Sequence, residues 1–241
     1  MELKIHKDYN ELSAAAAAMI IDYVKNKPEA LLCFATGDTP KLTYQLVAET
    51  AMKDKVDFGQ CFIIGLDEWM GVSPDNPGSC HWFLHEYLFK PIGIDSSQVH
   101  LFNAFANEKE ESRKMNKLIA VNGIDLMVVG VGMNGHIGFN EPGTDINSLV
   151  HVANLDETTI TVGQKYFQDK VEIGRGITVG LKQVMETDTL LMIANGKKKA
   201  PVIKRAVEEN VSTVFPATLI RQHKNGILMI DNDAASELNQ Q

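Results

Sequence analysis

Apolar runs rich in β-branched or aromatic side chains recur along the chain at 30–35, 61–66, 126–131, 190–194 and 226–230. Between them lie longer segments whose apolar positions return at helical spacing, which predicts helices over 10–25, 41–52, 79–88, 108–121 and 198–209. Strands apolar at every position suit a sheet covered on both sides. The alternation therefore predicts βαβ units in an α/β fold: one doubly wound, mainly parallel sheet with helices on both faces. The opening Leu3-Lys4-Ile5-His6 reads as a further short strand. No repeat, low-complexity tract or linker divides the sequence, so residues 1–241 are expected to form a single domain around one core.

In such a sheet, ligands bind beyond the carboxyl ends of the strands, where strand-to-helix loops converge. Four loops stand there by prediction, at 36–40, 67–80, 130–144 and 195–199. The first, Thr36-Gly37-Asp38-Thr39-Pro40, sets small and hydroxyl residues before a helix, where free N–H groups can seat an anion. Its plainer reading is an ordinary turn with Thr39 as N-cap and Pro40 at the first helical position. The second loop opens on the adjacent carboxylates Asp67 and Glu68, one of which could serve as a general base; a cap or turn role is the alternative. Its continuation, Ser73 to Gly78, is turn chemistry suited to a flap.

The third loop is the richest. Five glycines and a proline lie within 130–143, with Asn134, His136, Asn140 and Glu141 at short intervals. Such a backbone can approach a ligand closely, and a His beside a carboxylate has its tautomer fixed for proton transfer near neutral pH. The glycine spacing is not that of a dinucleotide fingerprint. In the fourth loop, Lys197, Lys198 and Lys199 open a helix, against the macrodipole. A lysine run is usually a solvated face, but beside three other ligand loops one of these lysines is better explained as an anion ligand.

With 31 acidic against 23 basic residues, the net charge of −8 argues against a surface built for nucleic acid or for anionic lipid, while a local basic pocket remains compatible with a small phosphate. Cys33, Cys61 and Cys80 are widely spaced and form neither a disulfide framework nor a zinc pattern. The N-terminus lacks the features of a signal peptide, and the apolar stretch 12–24 is too short to span a bilayer, so the expected location is the cytoplasm.

The segments Asp67-Glu68-Trp69, Gly135-His136-Ile137-Gly138-Phe139-Asn140-Glu141-Pro142, 36–40 and 196–200 together resemble the glucosamine/galactosamine-6-phosphate deaminase-isomerase family over nearly the whole chain. Leu66 to Trp69, Pro77 to Cys80, Arg175 to Lys182 and Val211 to Ala217 are most similar to its galactosamine-6-phosphate branch. The resemblance implies a Rossmann-like fold of the sugar-phosphate isomerase type. It also implies roles. Asp67 matches the base that moves a proton between C2 and C1 of the opened sugar, His136 the group that assists ring opening, and Glu141 its carboxylate partner. Asn134 stands where some relatives carry Asp, which weakens the charge coupling around His136. Thr39 and Lys199 match phosphate ligands, and Thr36, Gly37 and Asp38 belong to the same loop. Asp38 replaces a frequent Gly, and its side chain is expected to turn away, leaving its N–H to serve. Lys165 falls near a phosphate-binding Arg of some relatives and supplies charge without a bidentate fork. Around His151 and Ala153 the basic pair used by some hexameric relatives to bind an activating sugar phosphate is missing.

The implied reaction opens an amino sugar 6-phosphate, moves a proton from C2 to C1 and hydrolyses the resulting imine to ammonia and a ketose phosphate. Positioned proton donors and acceptors suffice for this, with no metal, flavin or nicotinamide cofactor. The expected partner is therefore a small amino sugar phosphate, and the resemblance leaves room for a homo-oligomer. Two other readings stand beside this one. In a 6-phosphogluconolactonase-like hydrolase His136 would activate water, although the related lactonases lack the Asn140-Glu141-Pro142 continuation. A non-catalytic sugar-phosphate sensor would have no use for Asp67, His136 and Glu141 together.

Overall fold

The computed structural model describes residues 1–239. The apolar runs become the strands β2 (Leu31–Phe34), β3 (Phe62–Gly65), β6 (Leu126–Val129), β9 (Thr189–Ala194) and β10 (Gly226–Asp231). They are joined by β1 (Glu2–His6) and the two-residue β5 (Val99–His100) in a parallel seven-stranded sheet of order β1-β10-β9-β6-β2-β3-β5. Starting from β2, the chain builds outward through β3 and β5, then returns to the other side of β2 with β6. The switch point, where a crevice opens at the carboxyl ends, thus lies between β2 and β6.

Period-two alternation sends neighbouring strand residues to opposite faces. Leu32, Phe34, Ile63, Val128 and Ile193 face α1 (Tyr9–Asn26), α2 (Asp38–Asp54) and the helical stretch that starts with α3 (Cys80–Leu84). Cys33, Ile64, Met127, Val129 and Met192 face α5 (Glu108–Asn122), α7 (Leu181–Glu186), α8 (Ala200–Glu208) and α9 (Asn232–Ala235). Helix starts are fixed locally. The Asp8 carboxylate accepts the N–H groups of Asn10 and Glu11 at the head of α1, and Asn107 does the same for Lys109 and Glu110 at α5. The helix expected over 79–88 instead continues from α3 through a π-helical turn, His85–Phe89, into α4 (Lys90–Ile92). Pro91 explains the widened turn, since it cannot donate to the carbonyl four residues back and its ring crowds that position.

The apolar pattern does not show a second sheet, which the structure contains. β4 (Asp67–Trp69), β8 (Arg175–Thr178) and β7 (His151–Asn154) pair antiparallel in the order β4-β8-β7. The expected 67–80 loop therefore begins as a strand, with Asp67 paired to Thr178. A satellite apolar cluster of Trp69, Val72, Cys80, Phe139, Leu155, Phe167 and Ile173 packs beside this sheet and ties it to α6 (Glu157–Gly163) and the segment beyond. Among the described residues, no helix is long and apolar enough to cross a membrane.

Candidate active site

The two adjacent carboxylates on β4 have different surroundings. Glu68 is buried and accepts three backbone N–H groups, from Trp69 at 2.9 Å, Cys80 at 3.0 Å and His81 at 2.8 Å. Two of these donors open α3, so the carboxylate neutralises the positive end of that helical stretch and anchors it to β4. Asp67 points the other way and keeps part of its surface open. Protein encloses the rest, and burial, with the Glu68 charge adding to it, pushes its carboxyl up to about 7. Its side-chain hydrogen-bond donor is the Cys80 thiol, with Sγ 3.5 Å from Oδ1.

The 130–144 loop curls beyond β6. Gly132 donates to the His136 carbonyl, and the imidazole lies so close that a Cβ on Gly132 would meet ring atoms at 2.4 Å. Only glycine leaves room for this ring. His136 Nδ1 lies 3.5 Å from Glu141 Oε2 and 3.0 Å from the Thr159 hydroxyl of α6. Asn134 donates its side-chain amide to the same Glu141 oxygen at 2.8 Å. Burial alone would raise the Glu141 carboxyl, but the hydrogen bond and charge of His136, with Thr159 and Asn134, outweigh it and hold the group below its ordinary value. Asn140, fully buried, donates to the carbonyls of Ile137 and Val179 at 2.8 Å each and so fastens the loop to the end of β8.

At the first loop the helix starts earlier than expected. Gly37, at φ 121°, is the N-cap of α2, so Asp38 and Thr39 lie in its first turn and the Thr39-cap reading is corrected. A residue with a Cβ resists that backbone angle, and glycine adopts it freely. Thr39 donates instead to the side-chain oxygen of Asn195 at 2.6 Å, bridging the first and fourth loops. The Asp38 side chain is exposed and pairs with Lys165 at 2.6 Å, in the turn Gln164–Tyr166 that follows α6. Lys197–Lys199 form a single 3-10 turn ahead of α8. Lys199 is the half-buried one of the three, its ammonium donating to the Val131 carbonyl of the third loop at 2.6 Å. Burial, aided by the charge of Lys165 and opposed by Asp38, brings its pKa down to about 8. Asp231, at the end of β10, fixes the start of this turn by accepting the Gly196 N–H with both carboxylate oxygens.

Hydrogen bonds therefore lace the four loops together: Thr36 to Cys80 and on to Asp67, Thr39 to Asn195, and Lys199 to Val131. Among the described residues, none joins Asp67 directly to the cluster of His136, Asn134, Glu141 and Thr159. Two participants, Thr159 and Cys80, escape sequence reasoning. Thr159 lies 23 residues from His136 with no motif linking them, and Cys80 is indistinguishable by composition from a small core residue.

A doubly wound sheet that gathers a carboxylate titrating near neutrality, a hydrogen-bonded His–carboxylate pair and a half-buried lysine beyond its strand ends brings together groups suited to acid–base chemistry on an anionic ligand. Its kinship is explicit, because the family model described as glucosamine-6-phosphate isomerases/6-phosphogluconolactonase matches residues 7–229, and the chain belongs to that family. It is similar to a glucosamine-6-phosphate deaminase of Thermoanaerobacter sp. (strain X514), with 38% identity over 98% of this chain and 94% of the relative. A solved monomeric glucosamine-6-phosphate deaminase superposes with a TM-score of 0.94 at 33% identity, covering 98% of this chain and all of that one. The 6-phosphogluconolactonase of Trypanosoma brucei shares the fold, with a TM-score of 0.80 at 18% identity over 99% of this chain and 98% of that one.

Proposed function

We propose that the chain is an amino-sugar-6-phosphate deaminase-isomerase, converting its substrate to a ketohexose 6-phosphate and ammonia. The observation that carries this reading is Asp67, a half-buried carboxylate at the carboxyl edge of the sheet, hydrogen-bonded by the Cys80 thiol and with a pKa of about 7. A base with that affinity can take a carbon-bound proton and return it at working pH. In this scheme His136, oriented by Glu141 and Thr159, moves the proton that opens the ring. Asp67 removes the C2 proton and delivers it to C1, and water then hydrolyses the C2 imine to the ketone and ammonia. Lys199 and the N–H groups at the head of α2 hold the phosphate, whose binding energy orients carbons that react some distance away. Thr36, Gly37, Asp38 and Thr39 shape that seat, and Lys165 can join it by exchanging Asp38 for phosphate.

The relatives named as glucosamine-6-phosphate deaminases support the glucosamine epimer, while the segments at 66–69, 77–80, 175–182 and 211–217 support the galactosamine epimer. Ammonia release measured side by side on the two phosphates decides between them. Absence of ammonia from both, with hydrolysis of 6-phosphogluconolactone, would overturn the proposal.

A further inference from the structure

The Cys80 thiol occupies a place that packing alone does not require. It belongs to the apolar satellite cluster, yet its sulfur is flanked by two polar groups, the Thr36 hydroxyl at 3.2 Å and the Asp67 carboxylate at 3.5 Å. The Thr36 O–H donates to sulfur and the S–H donates to Asp67, so the three form a directed chain from the α2 loop to β4. The backbone N–H of Cys80 is itself held by Glu68, the residue after Asp67, which fixes the thiol relative to the carboxylate.

We propose that Cys80 is a positioning residue for the reaction: its thiol aims the Asp67 carboxylate, favours the ionised form of that carboxylate, and couples it to the loop that carries Thr36. The proposal rests on the reading of Asp67 as the base. The groups facing Asp67 are few. Glu68 is its neighbour on β4, Cys33 of β2 and Tyr44 of α2 lie near enough to feel its charge, and Cys80 comes from α3. The Tyr44 hydroxyl is committed to the Ala35 carbonyl at 2.7 Å, Cys33 is fully buried in the core, and Glu68 opposes ionisation of Asp67. Cys80 is the group in this set that donates to the carboxylate. Burial, with the charges of Glu68 and Asp67, keeps the thiol protonated far above its ordinary range, so it remains a donor throughout the working pH range. No bond is made or broken at sulfur.

The test is the pH profile of kcat/KM for ammonia release by purified Cys80→Ala, Cys80→Ser and Asp67→Asn. Loss of the donor in Cys80→Ala should move the acidic limb upward by about half a pH unit, a loss of about threefold below the limb, with the alkaline plateau largely kept. Cys80→Ser, which restores an O–H, should bring the limb back toward its original position. A purely packing role would lower the melting temperature and leave the limb where it was. An unmoved limb in Cys80→Ala, with Asp67→Asn inactive, overturns the role of Cys80 alone. An active Asp67→Asn overturns the reading of the base and this proposal with it. If Cys80→Ala does not fold, Thr36→Val decides: it cuts the chain one step earlier and should move the limb in the same direction by a smaller amount, and an unmoved limb in Thr36→Val counts against the relay.

Discussion

Asp67 on β4 and Glu141 in the 130–144 loop are both carboxylates at the carboxyl edge of one sheet, and their surroundings drive them in opposite directions. Asp67 has burial and a like charge against it and a single thiol in its favour, so it holds its proton up to about 7. Glu141 is also partly buried, but His136, Thr159 and Asn134 all stabilise its charge, and its pKa falls. Environment, not residue type, thus separates a group able to exchange protons near neutrality from one that stays charged and orients its neighbour.

The sharpest way to break this contrast is to remove the two proton-transfer groups. Asp67→Asn keeps the shape and loses the base, so kcat should fall by about 10² or more with KM little changed. Solvent exchange of the C2 proton is the companion measurement, and undiminished exchange would move the role to Glu68. His136→Gln should cost about 10² in activity on the cyclic sugar while the melting temperature stays close to the parent value, and Glu141→Gln should cost about tenfold. A strongly destabilised His136→Gln with normal activity per folded molecule would make that His structural.

On the phosphate side, Lys199→Ala should raise KM about tenfold or more, the worth of a charge-assisted hydrogen bond of roughly 1.5 kcal/mol. Because the Lys199 ammonium titrates at about 8, parent affinity should weaken as the pH rises past that value, and affinity measured across pH 7–9 would reveal it.

The contrast also predicts stability changes of opposite sign. A carboxyl that titrates at about 7 when folded, against an ordinary value of 3.8, binds a proton that the unfolded chain has released. Its contribution is complete below the lower value and is lost as pH rises through 7. Asp67→Asn should therefore unfold at a higher temperature than the parent at pH 8, by on the order of 1 kcal/mol or more in stability. Glu141, whose pKa is lowered from 4.5, contributes above that value and loses the contribution as pH falls through its folded pKa. Glu141→Gln should lose about 1 kcal/mol at pH 8. Thermal unfolding of both variants at pH 5 and pH 8 checks the pair, and shifts of the same sign would remove the contrast.

The parallel sheet was legible because its strands are apolar at every position, as strands covered on two faces must be. The short antiparallel sheet was not. β4 is three residues long and carries two carboxylates, and in β7 (His151–Asn154) polar residues sit at both ends of a half-exposed strand, so neither shows a usable period. The glycine-rich loop drew attention to His136, Asn134 and Glu141 through density alone, and the resemblance supplied their roles. Asp38 and Lys165 each match parts of an anion seat, but 127 residues of separation hide from the sequence that they pair with each other. The N-cap of α2 was misplaced because Thr39-Pro40 is a strong local helix-start signal. Gly37, whose signal is weaker, takes the position that the tight exit from β2 demands.

Among the described residues β1 has a single strand partner, β10, pairing from Glu2 with Ile227 to His6 with Asp231. During synthesis β1 must therefore wait for β10, and at ribosomal speeds of roughly 5–20 residues per second that delay is on the order of 10–50 s. Through that interval Leu3 and Ile5 and their bare backbone edge lie open to neighbouring nascent chains on the same messenger. A translational pause between β1 and β10 should thus lower the soluble yield of this protein more than a pause of equal length after β10 has emerged.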